Sequence, residues 1–411
     1  MEYRALGELC TITSSKRIFA DQYVESGIPF YRSKEIIEKY NNSEISEPLY
    51  ISPMLYASIK TRFGVPKKGE MLLTSVGTIG IPYIVKDEEF YFKDGNLTWM
   101  KNFSEDLSSS YLYYWITSKF GKESLTSRCI GSSQSALTID ILKKYKLLVP
   151  TRKTQDNIVS ILANYDNLIE VNNKRIKVLE QMAENLYKEW FVRFRFPGHE
   201  TAEFENGIPK GWEEKRLEQF GISLDSGSRP SGGVNDSLED GMPSLGAEAV
   251  NGLGEFDYSN VKLIPFLYYD QMKRGKNTGR DILVYKDGAY IGKTTIFMNG
   301  FPYAEFAVNE HVFLLNALKK EYQFYLYFTL HLPEYFALMQ NLNRNAAQPG
   351  LSKLDMNRIK MVVPNIETVR LFNETIEPIL AHVFGLALQT RNLTKQRDLL
   401  LPRLMSGKLE V

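Results

Sequence analysis

Gly131-Ser-Ser-Gln134-Ser-Ala-Leu137, running on through Lys146 to Val149-Pro150, is answered later in the chain by Asn345-Ala-Ala-Gln348-Pro-Gly-Leu351, running on through Lys360 to Val363-Pro364. Gln134/Gln348, Leu137/Leu351, Lys146/Lys360 and Pro150/Pro364 share one offset of 214 residues. Working outward, Tyr111-Leu-Tyr-Tyr114 meets Tyr325-Leu-Tyr-Phe328 at that same offset, and so does Gly27-Ile-Pro29 against Gly241-Met-Pro243. The chain is a duplication. Two similar halves of one folded chain tend to lie about a pseudo-two-fold axis, which suits a two-fold symmetric partner such as duplex DNA.

Each half opens on a mixed region and closes on a helix. In the first half, Glu70–Ser75, Ile81–Val85 and Leu97–Met100 read as strands between Gly-rich turns; their counterparts are Asp281–Tyr285, Thr294–Met298 and His311–Leu315. After Pro150, Ile158, Leu162, Tyr165, Ile169, Asn172, Ile176, Leu179, Ala183, Leu186 and Trp190 follow in steps of four and three. The second copy gives Phe372, Ile376, Ile379, Val383, Leu386, Thr390, Leu393, Arg397, Leu400 and Leu404. This seven-residue repeat predicts two helices packed along their length, antiparallel by the pseudo-two-fold arrangement. At about 1.5 Å per residue, Asp156 to Phe191 would make a rod of about 50 Å. Asn172, polar at a core position, either fixes register by demanding a partner or is solvated. Pro378 should kink the second rod or mark a late start to it, while Pro402 bends only its last turn. The fold expected is α+β: two pseudo-two-fold related mixed α/β domains, 1–150 and 199–364, separated by two long antiparallel coiled-coil helices, 151–198 and 365–411.

At 411 residues the chain has room for two to three domains with cores of their own. Lys+Arg 50 against Asp+Glu 49 leaves a net charge of +1, so no global basic field announces nucleic acid and any DNA grip must be local. Cys10 and Cys129 are too few for a disulfide framework and point to a reducing cytoplasm. The start, Met1-Glu-Tyr-Arg-Ala, has no charged-then-apolar signal, and no apolar run is long enough to cross a bilayer, which argues against a membrane role.

Catalytic chemistry finds little support. Gly288-Ala-Tyr-Ile-Gly292-Lys293-Thr294 has three residues between its glycines where a phosphate-binding loop needs four, so it reads as a strand-connecting turn whose Lys293 and Thr294 face a DNA phosphate. His199, His311, His331 and His382 have no metal-ligand spacing. Glu213-Glu-Lys215 reads as a solvated helix start. The aromatic runs Tyr111–Trp115 and Tyr322–Phe328 read as helices wedged onto a sheet rather than base-stacking platforms. The better contact candidates are loop clusters: Ser14-Ser15-Lys16-Arg17, Tyr31-Arg32-Ser-Lys34 and Arg128 to Ser133-Gln134, with Ser226-Gly-Ser228-Arg229 and Asn343-Arg344-Asn345 to Gln348 in the second half. Arginine grips guanine by two hydrogen bonds and glutamine grips adenine likewise, each worth roughly 1–3 kcal/mol of base discrimination.

These residues resemble a known family, the specificity subunits of Type I restriction-modification systems. Leu179–Phe196 resembles the end of its central helix, Gly207-Ile-Pro-Lys-Gly-Trp-Glu213 the entry to its second target-recognition domain, and Gln396–Lys408 its carboxyl-terminal helix. Gln134 and Gln348, each before a Leu-containing helix and a Val-Pro exit, match the ends of the two recognition domains. The resemblance implies a non-catalytic subunit that reads a bipartite, asymmetric DNA target, with the helices as the ruler of the unread gap. It implies scaffolding of two methyltransferase subunits and of restriction/translocase subunits. The S-adenosylmethionine, ATP and Mg would then belong to those partners and no cofactor or metal to this chain. A Type IIB-like specificity component and a coiled-coil protein-binding adaptor stand as alternatives.

Overall fold

The computed structural model describes residues 2–41, 43–129, 136–230, 238–342, 350–409 and 411. The chain forms two compact units, Met1–Asn167 with Thr394–Val411, and Leu168–Leu393. The cuts fall inside the long helices rather than at their ends.

The first unit is built on an antiparallel sheet ordered Thr11–Thr13, Leu97–Lys101, Met71–Thr74, Pro82–Ile84. Met71-Leu-Leu-Thr74 is buried throughout because the sheet is covered on both faces. Met71 and Leu73 face the helix Ser109–Thr117 through Leu112 and Trp115, while Leu72 faces Phe92 and Trp99. A second small sheet joins Tyr23–Val24, Leu49–Ile51, Ile28–Tyr31 and Tyr91–Phe92. The second unit repeats the first sheet as Ile222–Ser226, Val312–Ala317, Arg280–Tyr285, Thr294–Met298. Its smaller sheet has three strands, Lys262–Ile264, Met242–Leu245 and Ala307–Val308. Both aromatic runs lie in helices and are core: Tyr111, Leu112, Trp115, Tyr325 and Phe328 are all buried.

Each unit is closed by one more strand pair. Glu2–Ala5 pairs with Lys146–Val149, and Glu213–Arg216 with Lys360–Val363, Glu2 opposite Val149 and Glu213 opposite Val363. Glu213-Glu-Lys215 is therefore strand and not a helix start; the helix begins only at Leu217–Phe220. Tertiary pairing with Lys360–Val363 overrides the helical leaning of the local charges.

The first long helix spans Arg152–Tyr187 and passes into a π-helical turn, Lys188–Val192; the second spans Ile366–Met405. Buried Gln155 pins the start of the first, donating to the carbonyls of Asp106 and Pro150 and accepting from the Ser108 amide. Asn365 caps the second by accepting the Thr368 amide at 2.9 Å. The stripe positions Ile158, Leu162, Ile169, Ile176, Leu179 and Leu186, and Phe372, Ile376, Val383, Leu386, Leu393 and Leu400, are all buried or half-buried. In the second unit, Asn172 Nδ2 donates to Gln389 Oε1 at 3.2 Å and the Tyr187 ring meets Phe372 at 6.1 Å, so the two helices are antiparallel. In the first unit, Leu162 shares a core with Leu404, and Arg397 Nη1 donates to Asp166 Oδ1 at 2.8 Å. Asn172 is thus a partnered core asparagine. Pro378 lies within the second helix, which begins twelve residues earlier, at Ile366. It is exposed, so water can meet the Glu374 carbonyl that it leaves without an amide.

Candidate nucleic-acid interface

Antiparallel pairing collects the candidate loops. In the first unit Thr13 lies opposite Trp99, and Thr74 opposite Leu97. The segments after Thr13, after Thr74 and before Leu97 therefore emerge at one end of the sheet. There the Ser75 amide donates to the Asn96 carbonyl at 2.8 Å, and the Leu137 amide to the Ser75 carbonyl at 2.9 Å. The second unit repeats this wiring: the Lys286 amide donates to the His311 carbonyl at 3.0 Å, and the Leu351 amide to the Lys286 carbonyl at 2.8 Å. Ser133-Gln134 and Arg344, Asn345 and Gln348 lie outside the described residues, but the residues that follow, Leu137 and Leu351, are fixed at the same sheet end in both copies.

Several candidate cations meet there, each held by the protein. Arg17 Nε bonds Asp94 Oδ2 at 2.8 Å, and the Lys16 amide donates to the Tyr91 hydroxyl at 2.7 Å. The Ser15 hydroxyl is buried without a hydrogen-bond partner. Arg32 ends the strand Ile28–Tyr31 and is gripped by the fully buried Glu35, whose carboxylate also accepts the Arg32 amide at 2.6 Å. Lys34 pairs with Glu47 at 3.0 Å and holds that carboxylate below its ordinary value. In the second unit Ser228 shares a hydrogen bond with the Tyr268 hydroxyl at 2.7 Å, and Arg229 pairs with Glu310 at 3.1 Å. Lys293 donates to Asn251 Oδ1 at 3.2 Å.

Two candidates sit differently. Thr294 is buried and turned inward, its hydroxyl 3.0 Å from Nδ1 of His331. It opens a buried edge strand, and a strand residue beside an exposed turn points to the core as readily as outward. Arg128 lies over the ring of Tyr145 at 5.0 Å, and the Tyr145 carbonyl accepts the Leu6 amide. Sequence reasoning missed Arg62, Lys273 and Arg274, which are exposed beside the interface loops. The signal was a basic residue one or two places before a glycine in each copy, Arg62-Phe-Gly64 and Arg274-Gly275.

Burial pushes the Cys10 thiol up to about 12, far from a thiolate nucleophile at neutral pH. Among the described residues no three His, Cys, Asp or Glu side chains cluster to hold a metal. The arrangement can hold polar side chains in fixed directions at two similar sheet ends, which is the chemistry of recognition.

A family model described as the Type I restriction modification DNA specificity domain matches residues 1–181 and 209–395. The chain belongs to that family. It is 27% identical over 373 residues to the Type I restriction enzyme MjaIX specificity subunit of Methanocaldococcus jannaschii, covering 84% of this chain and 78% of that one. It is 21% identical over 345 residues to the Type I restriction enzyme HindI specificity subunit of Haemophilus influenzae, covering 66% and 71%. Its fold matches a crystal structure of the S subunit of a Type I restriction-modification system from M. genitalium, with a TM-score of 0.61 and 16% identity over 98% of this chain and 95% of that one. This Type I specificity family supplies the DNA-selecting, non-catalytic component of a restriction-modification system, and the chain is such a component. No helix among the described residues is long and apolar enough to cross a membrane.

Proposed function

We propose that each unit's sheet end reads one half of a bipartite, asymmetric DNA sequence, and that the two long helices set the unread gap. The observation that carries this reading is the duplicated wiring, Ser75–Asn96–Leu137 and Lys286–His311–Leu351, with unlike side chains hung on a like scaffold. Lys16, Arg17, Arg32 and Lys34 would contact one half-site, and Ser228, Arg229 and Lys293 the other; Gln134 would serve the first and Arg344, Asn345 and Gln348 the second. Intramolecular carboxylates fix Arg17 and Arg32 in advance, so less rotamer freedom is lost on binding. The chain itself works without a cofactor. In the cytoplasm it scaffolds two methyltransferase subunits and the restriction/translocase subunits, which bring S-adenosylmethionine, ATP and Mg.

Mapping methylated adenines in the host genome tests this. A motif in two unlike parts with a gap of fixed length is expected, and removal of this chain should abolish it. A continuous palindrome that depends on this chain would end the bipartite reading.

A further inference from the structure

We propose that the basic residues at or just past two short helices, Arg62 in the first unit and Lys273-Arg274 in the second, are the phosphate-gripping residues of the two recognition domains. The proposal rests on the DNA reading above and assigns within it which cations position the duplex.

The two segments occupy the same place in the two copies. Leu49–Ile51 pairs with the strand Ile28–Tyr31, and Lys262–Ile264 pairs with Met242–Leu245. After each comes a short helix, Pro53–Arg62 or Phe266–Gln271, and then a left-handed glycine, Gly64 at φ +80° or Gly275 at φ +77°. Each run lies against the first interface loop of its unit. In the first, Lys16 Nζ stands 5.7 Å over the Phe63 ring. In the second, a Cβ added to Gly275 would come within 2.4 Å of the Gly227 Cα, so only glycine lets the backbone carry Arg274 this close to Ser226–Arg229.

Like Lys16 and Lys293, they differ in electrostatic state from the carboxylate-paired cations of the interface loops. Arg17, Arg32, Lys34 and Arg229 are each neutralised by a carboxylate, whereas Arg62, Lys273 and Arg274 are exposed and make no ion pair among the described residues. A paired arginine must give up part of its carboxylate contact to gain a phosphate, but its direction is fixed, which suits reading a base edge. A free cation gains the phosphate outright and releases a counterion from the duplex. With a chain charge of only +1, such local unpaired charge is what draws DNA to the protein.

The test uses the full chain co-expressed with its methyltransferase partner and a labelled duplex of arbitrary sequence, roughly 40 base pairs or four helical turns. Binding is measured against salt concentration for the wild type, Arg62→Gln, Lys273→Gln/Arg274→Gln and the exchange Lys273→Arg/Arg274→Lys. The slope of log affinity on log salt should become shallower by about 0.9 for the single variant and about 1.8 for the double, and stay unchanged for the exchange. The methylated motif should be the same in all four. Slopes equal to the wild type, or a changed motif with an unchanged slope, would overturn the assignment. If the wild-type complex methylates no split motif, the broader DNA reading falls instead.

Discussion

Arg397 interrupts the apolar stripe of the second long helix, and its partners make it a measurable tie between the two helices. Its guanidinium donates to Asp166 at 2.8 Å and to Asp398 at 2.8 Å, and Asp166 also accepts the Tyr114 hydroxyl at 2.7 Å. The Arg397 and Asp166 side chains are 29% and 33% exposed. The pair thus lies between two regimes, exposed pairs worth about 0–1 kcal/mol and buried ones that cost about 3–5 kcal/mol to break on one side. Arg397→Met should destabilise the first unit by about 1–2 kcal/mol, because Asp166 keeps its charge and retains only Tyr114. For a unit of this size that is a fall of about 2–8 °C in melting temperature. Arg397→Met combined with Asp166→Asn restores an apolar stripe, removes the stranded charge and keeps an acceptor for the Tyr114 hydroxyl, so it should return to within about 1 kcal/mol of the wild type. Hydrogen exchange of peptides covering 158–166, with thermal unfolding of all four proteins, gives the coupling energy. If the double variant lost the sum of the two single losses, the pair would not be joining the helices and the argument would be wrong.

Phe372→Ala removes a fully buried ring that meets Tyr187, Trp190, Phe191 and Phe328 at 6.1, 5.8, 5.0 and 6.1 Å. It should cost the second unit about 3–5 kcal/mol in urea unfolding, and a loss below about 1 kcal/mol would refute its central place in that core. Burial raises the pKa of Glu180, whose carboxylate accepts the Leu253 amide at 3.0 Å and faces Glu255, Glu184 and Lys177. A carboxyl raised in the folded state binds its proton more tightly there than when unfolded, so wild-type stability falls as pH rises from the ordinary carboxylate value through the raised one. Glu180→Gln, which keeps an acceptor for Leu253, should therefore be more stable than the wild type at neutral pH, with the advantage fading on acidification; unfolding midpoints across that range check the sign.

Much of this was legible because periodicity survives in sequence. The two stripes, three of the four strands of each main sheet and the core aromatic helices all follow from patterns a few residues long. What was hidden depended on partners distant in sequence. Arg397 looked like a flaw in the stripe until Asp166, 231 residues away, lay beside it. Glu213-Glu-Lys215 looked like a helix start until Lys360–Val363 paired with it. Thr294 shares a turn with Lys293, yet the first residue of a buried strand points to His331. The free cations Lys273 and Arg274 were passed over because pairing state, and not composition, distinguishes them from Arg229.

The strand pairs that close each unit have an evolutionary consequence. Because Glu2 lies opposite Val149, and Glu213 opposite Val363, everything between each pair enters and leaves through neighbouring backbone positions. A gene exchange with crossovers at these two short segments would replace everything between them while leaving the seam intact. On the proposed reading, target choice could then be inherited as an interchangeable cassette, one half at a time.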